Sequence, residues 1–256
     1  MKKNFNMLER KLLIPFYVLL FVFGFLQLSE IQAQNNKVQQ VHIDQADVLE
    51  GKKDLGPDVK VLKGNVVFSH AGSKMFCDSA YFYSATNSLK AFGKIHITRG
   101  DSIQLFGDTL LYSGNDRIAR VLNHVVLKND SLSLFTSELT YFMQQDMGAY
   151  STGGLTINKE DTLRSRIGRY YAQRDIFHFS EKVRVTNPKF RIECDTLKHN
   201  TKTQISYFLG PTHIYGDSNY IYCENGWYNH KENKAQFNKN ARYESKTYSL
   251  RGDSLF

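Results

Sequence analysis

From residue 41 onward, apolar residues recur two apart and stop at short polar links. The stretch SIQLFGDTLLYSGNDRIARVLNHVVLKNDS, residues 102 to 131, shows the plan: two runs with alternate apolar residues, separated by SGNDR. Side chains of an extended chain point to opposite faces in turn, so this spacing predicts strands with one apolar face. One column reads Val66, Ile95, Val125, Leu155, Val183, Thr212 and Ala241, and two places further on stand Phe68, Ile97, Leu127, Ile157, Val185, Ile214 and Tyr243. A fixed period of about 30 residues marks a repeat architecture.

Acidic residues supply a ruler for the repeat. Asp78, Asp108, Glu138, Asp195, Glu224 and Asp253 follow one another at intervals of 30, 30, 57, 29 and 29, with Asp47 as a first copy and Gly168 in the gap. Three residues ahead of these markers lies another mostly apolar column, Met75, Leu105, Phe135, Ser165, Ile192, Ile221 and Leu250. Links such as AGS (71–73) and NDS (129–131) punctuate one end of each unit, and SATNS (84–88) or NHKEN (229–233) the other. Such residues accept positive φ or bond their own backbone, and links this short join only antiparallel neighbours. The expected fold is all-β: one elongated, bent antiparallel sheet of hairpin repeats, each about 29–30 residues long. Gly64, Gly93, Gly107, Gly153 and Gly210 lie partway along the strands and are expected to bend them. Creased along that line, the sheet closes its apolar face into a V-shaped trough, rising about 9.6 Å per repeat over roughly 65 Å.

The N-terminus departs from this pattern. Lys2, Lys3, Arg10 and Lys11 precede an almost wholly apolar run from Leu12 to Leu28, followed by Ile31-Gln32-Ala33. That layout is a secretory signal peptide over residues 1–33, and the run is shorter than the ~20 residues a membrane span needs. The repeat domain is then expected over 38–256, in an exported protein. The chain carries 33 Lys and Arg against 25 Asp and Glu, a net +8; removing four basic and two acidic residues with the leader leaves +6. A positive surface favours anionic partners, and export makes nucleic acid the poorest of them.

Candidate chemistry is sparse. The carboxylate column could be read as a metal or acid–base ladder. Its rungs, however, would lie about 9.6 Å apart, too far to share an ion, so a corner or edge role fits better. Cys77, Cys194 and Cys223 all stand one place before a marker. The same spacing exceeds the ~7 Å a disulfide tolerates, so they read as small buried apolar residues. GxSxG, HExxH and CxxC do not occur, and the eight histidines are scattered, with His96 and His213 on one outward column but rungs apart. The RGD triplets at 99–101 and 251–253 fall in a turn and in the marker column, where chance accounts for them. Neither an enzyme nor a bound cofactor or metal is expected.

The segments VHIDQADVLE (41–50), LKGNVVFS (62–69) and CDSAYFYSATNSLKAFGKIHI (77–97) resemble the OstA-like, or LptA, family, and the likeness runs from about residue 38 to the end. Repeat length and composition suggest a member of the Bacteroidetes type. The resemblance implies a β-jellyroll, or β-taco, that acts in the periplasm as a lipopolysaccharide-transport component. Such a protein holds acyl chains in its apolar interior and bridges toward the outer membrane, joining edge to edge with other jellyroll proteins or with itself. On that resemblance the lipid-facing residues are Phe68, Ile95, Ile97, Val125, Leu127, Leu155, Ile157, Val183 and Val185. The residues themselves equally allow an exported structural or adhesive repeat protein with a dry core. The closing RGDSLF falls in the middle of a repeat, so the last strand is expected to offer an open edge to a partner.

Overall fold

The structure, a computed structural model, describes residues 39–100, 103–129, 132–158 and 161–256; the expected signal peptide lies outside them. The alternating pattern becomes strands laid down in chain order. β1 (His42–Gln45) and β2 (Val48–Gly51) pair with successive parts of β3 (Val59–His70). Long hairpins follow through β4 (Ser73–Tyr83), β5 (Ser88–Arg99), β6 (Ile103–Ser113), β7 (Ile118–Lys128) and β8 (Ser133–Phe142). In the next repeat each long strand is split, into β9 (Met147–Tyr150) with β10 (Gly154–Asn158), and β11 (Asp161–Ser165) with β12 (Ile167–Tyr171). Both halves keep the sheet continuous, because β8 pairs with β9 and β10 while β11 and β12 pair with β13 (Ile176–Asn187). β14 (Phe190–Asn200), β15 (Ile205–Gly216), β16 (Asn219–Asn229), β17 (Lys234–Ser245) and β18 (Ser249–Leu255) complete one antiparallel sheet of 18 strands. The described residues from Gln39 to Phe256 form one unit.

The crease has a definite backbone chemistry. Gly64-Asn65, Gly93-Lys94, Asn123-His124, Glu181-Lys182 and Lys239-Asn240 are consecutive pairs with positive φ, and Gly153 and Gly210 mark the same place in the two remaining repeats. At each complete crossing two residues of one strand face a single residue of the next, as Gly64 and Asn65 face Asp78. This is a β-bulge, which bends and twists the strand that carries it. Stacking one bulge per repeat folds the sheet lengthwise into two walls. Gly107 was expected on this line but lies on the inner face opposite Ile95, where a Cβ would overlap Val121 of the facing wall. It makes room across the interior and bends nothing.

Carboxylates sit beside the crease, as the corner reading of the acidic column required. Asp78 lies against Gly93 and pairs with Lys94 at 3.4 Å, the His124 imidazole meets Asp108 at 2.7 Å, and the Asn240 side-chain amide donates to Glu224 at 2.8 Å. The ruler slips in two repeats, however. Equivalent inward residues Leu110 and Leu139 are 29 apart, which puts Ser137 at the corner and Glu138 one place beyond it, paired with Arg120 at 2.6 Å. In the following repeat Arg166 holds the corner, its backbone N–H donating to the Glu181 carbonyl at 2.9 Å and its guanidinium pairing with the Glu181 carboxylate. Gly168 is inside, packed against Tyr150.

Candidate functional site: the inner face of the crease

Strand pairing lines up one inward residue per strand into a row that crosses the whole sheet. On one wall it runs Phe68, Met75, Ile97, Leu105, Leu127, Leu134, Thr156, Leu163, Val185, Ile192, Ile214, Ile221, Tyr243 and Leu250. The facing wall carries Ala80, Ala91, Leu110, Val121 and Leu139, then Phe179, Leu197, Phe208, Gly226, Phe237 and Leu255. Each large side chain removed from water contributes about 2 kcal/mol, so an uncovered inner face would cost far more than the crease does.

Seven of the nine residues singled out from sequence, Phe68, Ile95, Ile97, Val125, Leu127, Val183 and Val185, lie on this inner face and are buried. Leu155 and Ile157 do not. They point outward, paired with the exposed Phe135 and with Ser133, while Thr156 between them is 5 % exposed and faces inward. The cause is the 29-residue step before β8: in a strand a slip of one residue exchanges the faces, and the column from Val125 to Leu155 had assumed 30. Phe135 leaves the inner column for the same reason, and Leu134 takes its place. Thr156 interrupts the apolar row, and its hydroxyl has no partner among the described residues.

Over the first repeats the two walls touch at their tips. His70, at the tip of one wall, lies between the Gln39 carbonyl, 2.8 Å from Nε2, and the Tyr112 hydroxyl, 2.6 Å from Nδ1. Because a carbonyl only accepts, Nε2 carries the hydrogen and Tyr112 donates to Nδ1. Burial pushes the His70 pKa down and lifts the Tyr112 phenol to about 12, so both stay neutral at pH 7. Arg99 donates to the Ala71 carbonyl on its own wall at 2.8 Å and to the Met143 carbonyl of the facing wall at 2.9 Å, and it forms an ion pair with Asp146. Asn129 reaches the Tyr170 hydroxyl at 3.0 Å further along. Inside this seam the side chains interlock, with Phe68 and Phe82 of opposite walls 6.1 Å apart between ring centroids. Cys77, Cys194 and Cys223 are unpaired and buried, and burial raises their thiols to about 12, 12 and 11, which makes them poor nucleophiles.

Toward the C-terminus the same rows come into contact with solvent. Val185 and Ile192 are buried, Ile214, Ile221 and Tyr243 are half-buried, and Leu250 is 50 % exposed. Phe237 and Leu255 on the other wall are also half-buried. Here the tip of the second wall carries Ser206, whose hydroxyl lies 3.0 Å from His199 Nδ1 and 2.9 Å from His230 Nε2. Burial, and then the neighbouring His230, lower the His199 pKa to about 4; burial lowers that of His230 as well. The residues that present accessible apolar surface on the inner face are therefore the last members of the columns, which site selection from sequence passed over. Rising polarity of their neighbours toward the C-terminus was the available signal.

An antiparallel sheet creased along a line of bulges, with a greasy inner face, defines a jellyroll wall. Residues 38–195, more than half of the chain, match the family model of OstA-like proteins, and the protein belongs to that family. Among solved structures, LptH, described as the LptA homologous periplasmic component of the conserved lipopolysaccharide transport device from Pseudomonas aeruginosa, aligns with a TM-score of 0.38 and 15 % identity. That alignment covers 43 % of this chain and 80 % of LptH. No curated protein matches the chain significantly.

Proposed function

We propose that this protein is a non-enzymatic periplasmic component of lipopolysaccharide transport that takes lipid acyl chains against the inner face of its crease. Membership of the OstA-like family supports the general reading. The observation that carries the finer one is the inner row itself, apolar for almost its whole length and grading from buried at Val185 to half exposed at Leu250. An acyl chain meeting Ile214, Ile221, Tyr243 and Leu250 would remove that surface from water, and from there it could advance only by parting the walls. Phe68, Ile95, Ile97, Val125, Leu127, Val183 and Val185 are the residues it would meet further in. On the same reading, β18, which pairs on one side only among the described residues, would add to a strand of another jellyroll protein or of a second copy.

The tight interior of the first repeats favours a second reading, a structural repeat protein with a dry core. Photo-crosslinking separates the two. With a benzophenone side chain in place of Ile221, Leu250, Ile97 or Leu127, lipopolysaccharide is expected to be captured at Ile221 and Leu250 first, and at Ile97 and Leu127 on longer loading. Capture at none of the four would establish the dry-core reading.

A further inference from the structure

The outer surface of the same wall changes character along the sheet. One outward row, flanking the inner one, begins Val67, Phe76, His96, Phe106, Val126 and Phe135, apolar but for an imidazole stacked between two phenyl rings. Beyond Leu155 it continues as Arg164, Arg184, Glu193, His213, Tyr222 and Arg242, ending at Arg251. The next outward row, nearer the wall tip, holds Arg191, Tyr215, Tyr220 and Glu244.

These side chains form a joined panel. The Arg191 guanidinium lies over the Tyr215 ring at 4.5 Å and Arg242 over Tyr222 at 5.8 Å. His213 is ringed by Tyr215, Tyr220 and Tyr222, and its Nδ1 is 2.9 Å from the Tyr220 hydroxyl. Arg164, Arg184, Arg191, Arg242 and Arg251 face only Glu193 and Glu244 in these two rows, five positive groups against two negative. Glu193 is held by Arg184 at 2.9 Å and Arg191 at 3.5 Å, while Arg251 makes no ion pair among the described residues. The panel borders the turns at 187–190, 216–219 and 245–249 that form the wall tip. Ile192, Ile214 and Ile221 are single-residue neighbours of its members, on the opposite face.

We propose that this outer lip binds the phosphorylated saccharide head of the lipid whose acyl chains lie on the inner face, an inference that rests on the function proposed above. Guanidinium groups pair with phosphate oxygens through two parallel hydrogen bonds. Tyrosine rings laid on a sheet offer flat apolar faces with a hydroxyl at the rim, which suits the alternating apolar and hydroxylated surfaces of a sugar. The positive excess selects an anionic head over a neutral one. An amphiphile lying over the tip would thus be read on both faces of one wall.

The test is equilibrium binding of three probes to the purified protein: bisphosphorylated lipid A, the same lipid A after removal of both phosphates, and dodecanoic acid. The wild-type protein is expected to favour the phosphorylated form by about tenfold or more, a preference that high salt erases. The double variant Arg191→Ala with Arg242→Ala loses that preference and keeps its affinity for dodecanoic acid and its melting temperature. Arg251→Glu, on an exposed strand position, shows the same loss in smaller measure should the double variant fold poorly. Unchanged selectivity in both variants overturns the head-group site while leaving the acyl-chain reading standing. Failure of the wild-type protein to bind any of the three probes removes both.

Discussion

The repeats before Leu163 and those after Ile192 are built from the same strands, bulges and turns, yet they differ in how their walls meet. In the first, Arg99, His70 and Asn129 tie the tips together over interlocked phenyl and leucine side chains. In the second, the inward rows end half exposed and the wall tip presents a histidine pair instead. The comparison teaches that the crease alone does not seal the inner face from solvent. Where the inner face is sealed, polar side chains long enough to span the opening bond to partners on the far wall.

The largest expected effect comes from moving one substitution between the two regions. Leu127→Asp places a carboxylate in the interlocked interior and is expected to cost about 4 kcal/mol or more, enough to abolish a cooperative urea transition at 25 °C. Leu250→Asp, in the same inner row but half exposed, is expected to cost less than about 1 kcal/mol and to weaken acyl-chain binding. Equal destabilisation by the two would erase the distinction.

Next in size is the tip contact. Arg99→Ala removes the Asp146 ion pair and the bonds to the Ala71 and Met143 carbonyls. These groups are only partly shielded from solvent, so a loss of about 2 kcal/mol is expected, below the range for a fully buried pair. A pair of spin labels at residues 72 and 144 then reports whether the walls part. An unchanged label distance together with unchanged stability would show that the tips are held by the core beneath them.

The smallest effect is a pH dependence centred on the second region. His199 has its folded pKa lowered to about 4, from an ordinary value near 6.5, so the unfolded chain binds more protons between those limits. Stability is therefore complete above pH 7 and declines as the pH falls toward 4. This group alone accounts for a loss on the order of 1–2 kcal/mol between pH 7 and 5, a loss that would be larger without the opposing pull of Asp161. Thermal melts of wild-type protein and His199→Gln across that interval should differ in slope, the variant being flatter. Parallel slopes would place the sensitive group elsewhere, with His70 the next to test.

Much of the architecture is legible in the residues themselves. The alternation around Phe68 and Ile97, the turn residues and the isolated cysteines gave the strands, the hairpins and the absence of a disulfide framework. Legibility failed at Leu155, Ile157, Phe135 and Gly168, across the two successive repeats where first the step shortens to 29 residues and then the corner loses its carboxylate. The crease was half visible. Gly64, Gly93, Gly153 and Gly210 advertise positive φ, while Asn123-His124 and Lys239-Asn240 carry only the weaker mark of an asparagine and Glu181-Lys182 none.

What the sequence determined by itself is the sheet: period-two hydrophobicity and short polar links act over neighbouring residues, and neighbouring residues are enough to dictate strands, antiparallel hairpins and an apolar face. What only the tertiary structure decided is where that face is sealed. The contacts responsible join residues 42 apart, as in His70 and Tyr112, or 47 apart, as in Arg99 and Asp146. Their partners are chosen by the fold of the crease and the cumulative register of every strand between them, and no local pattern encodes a distance that a single inserted residue can reset.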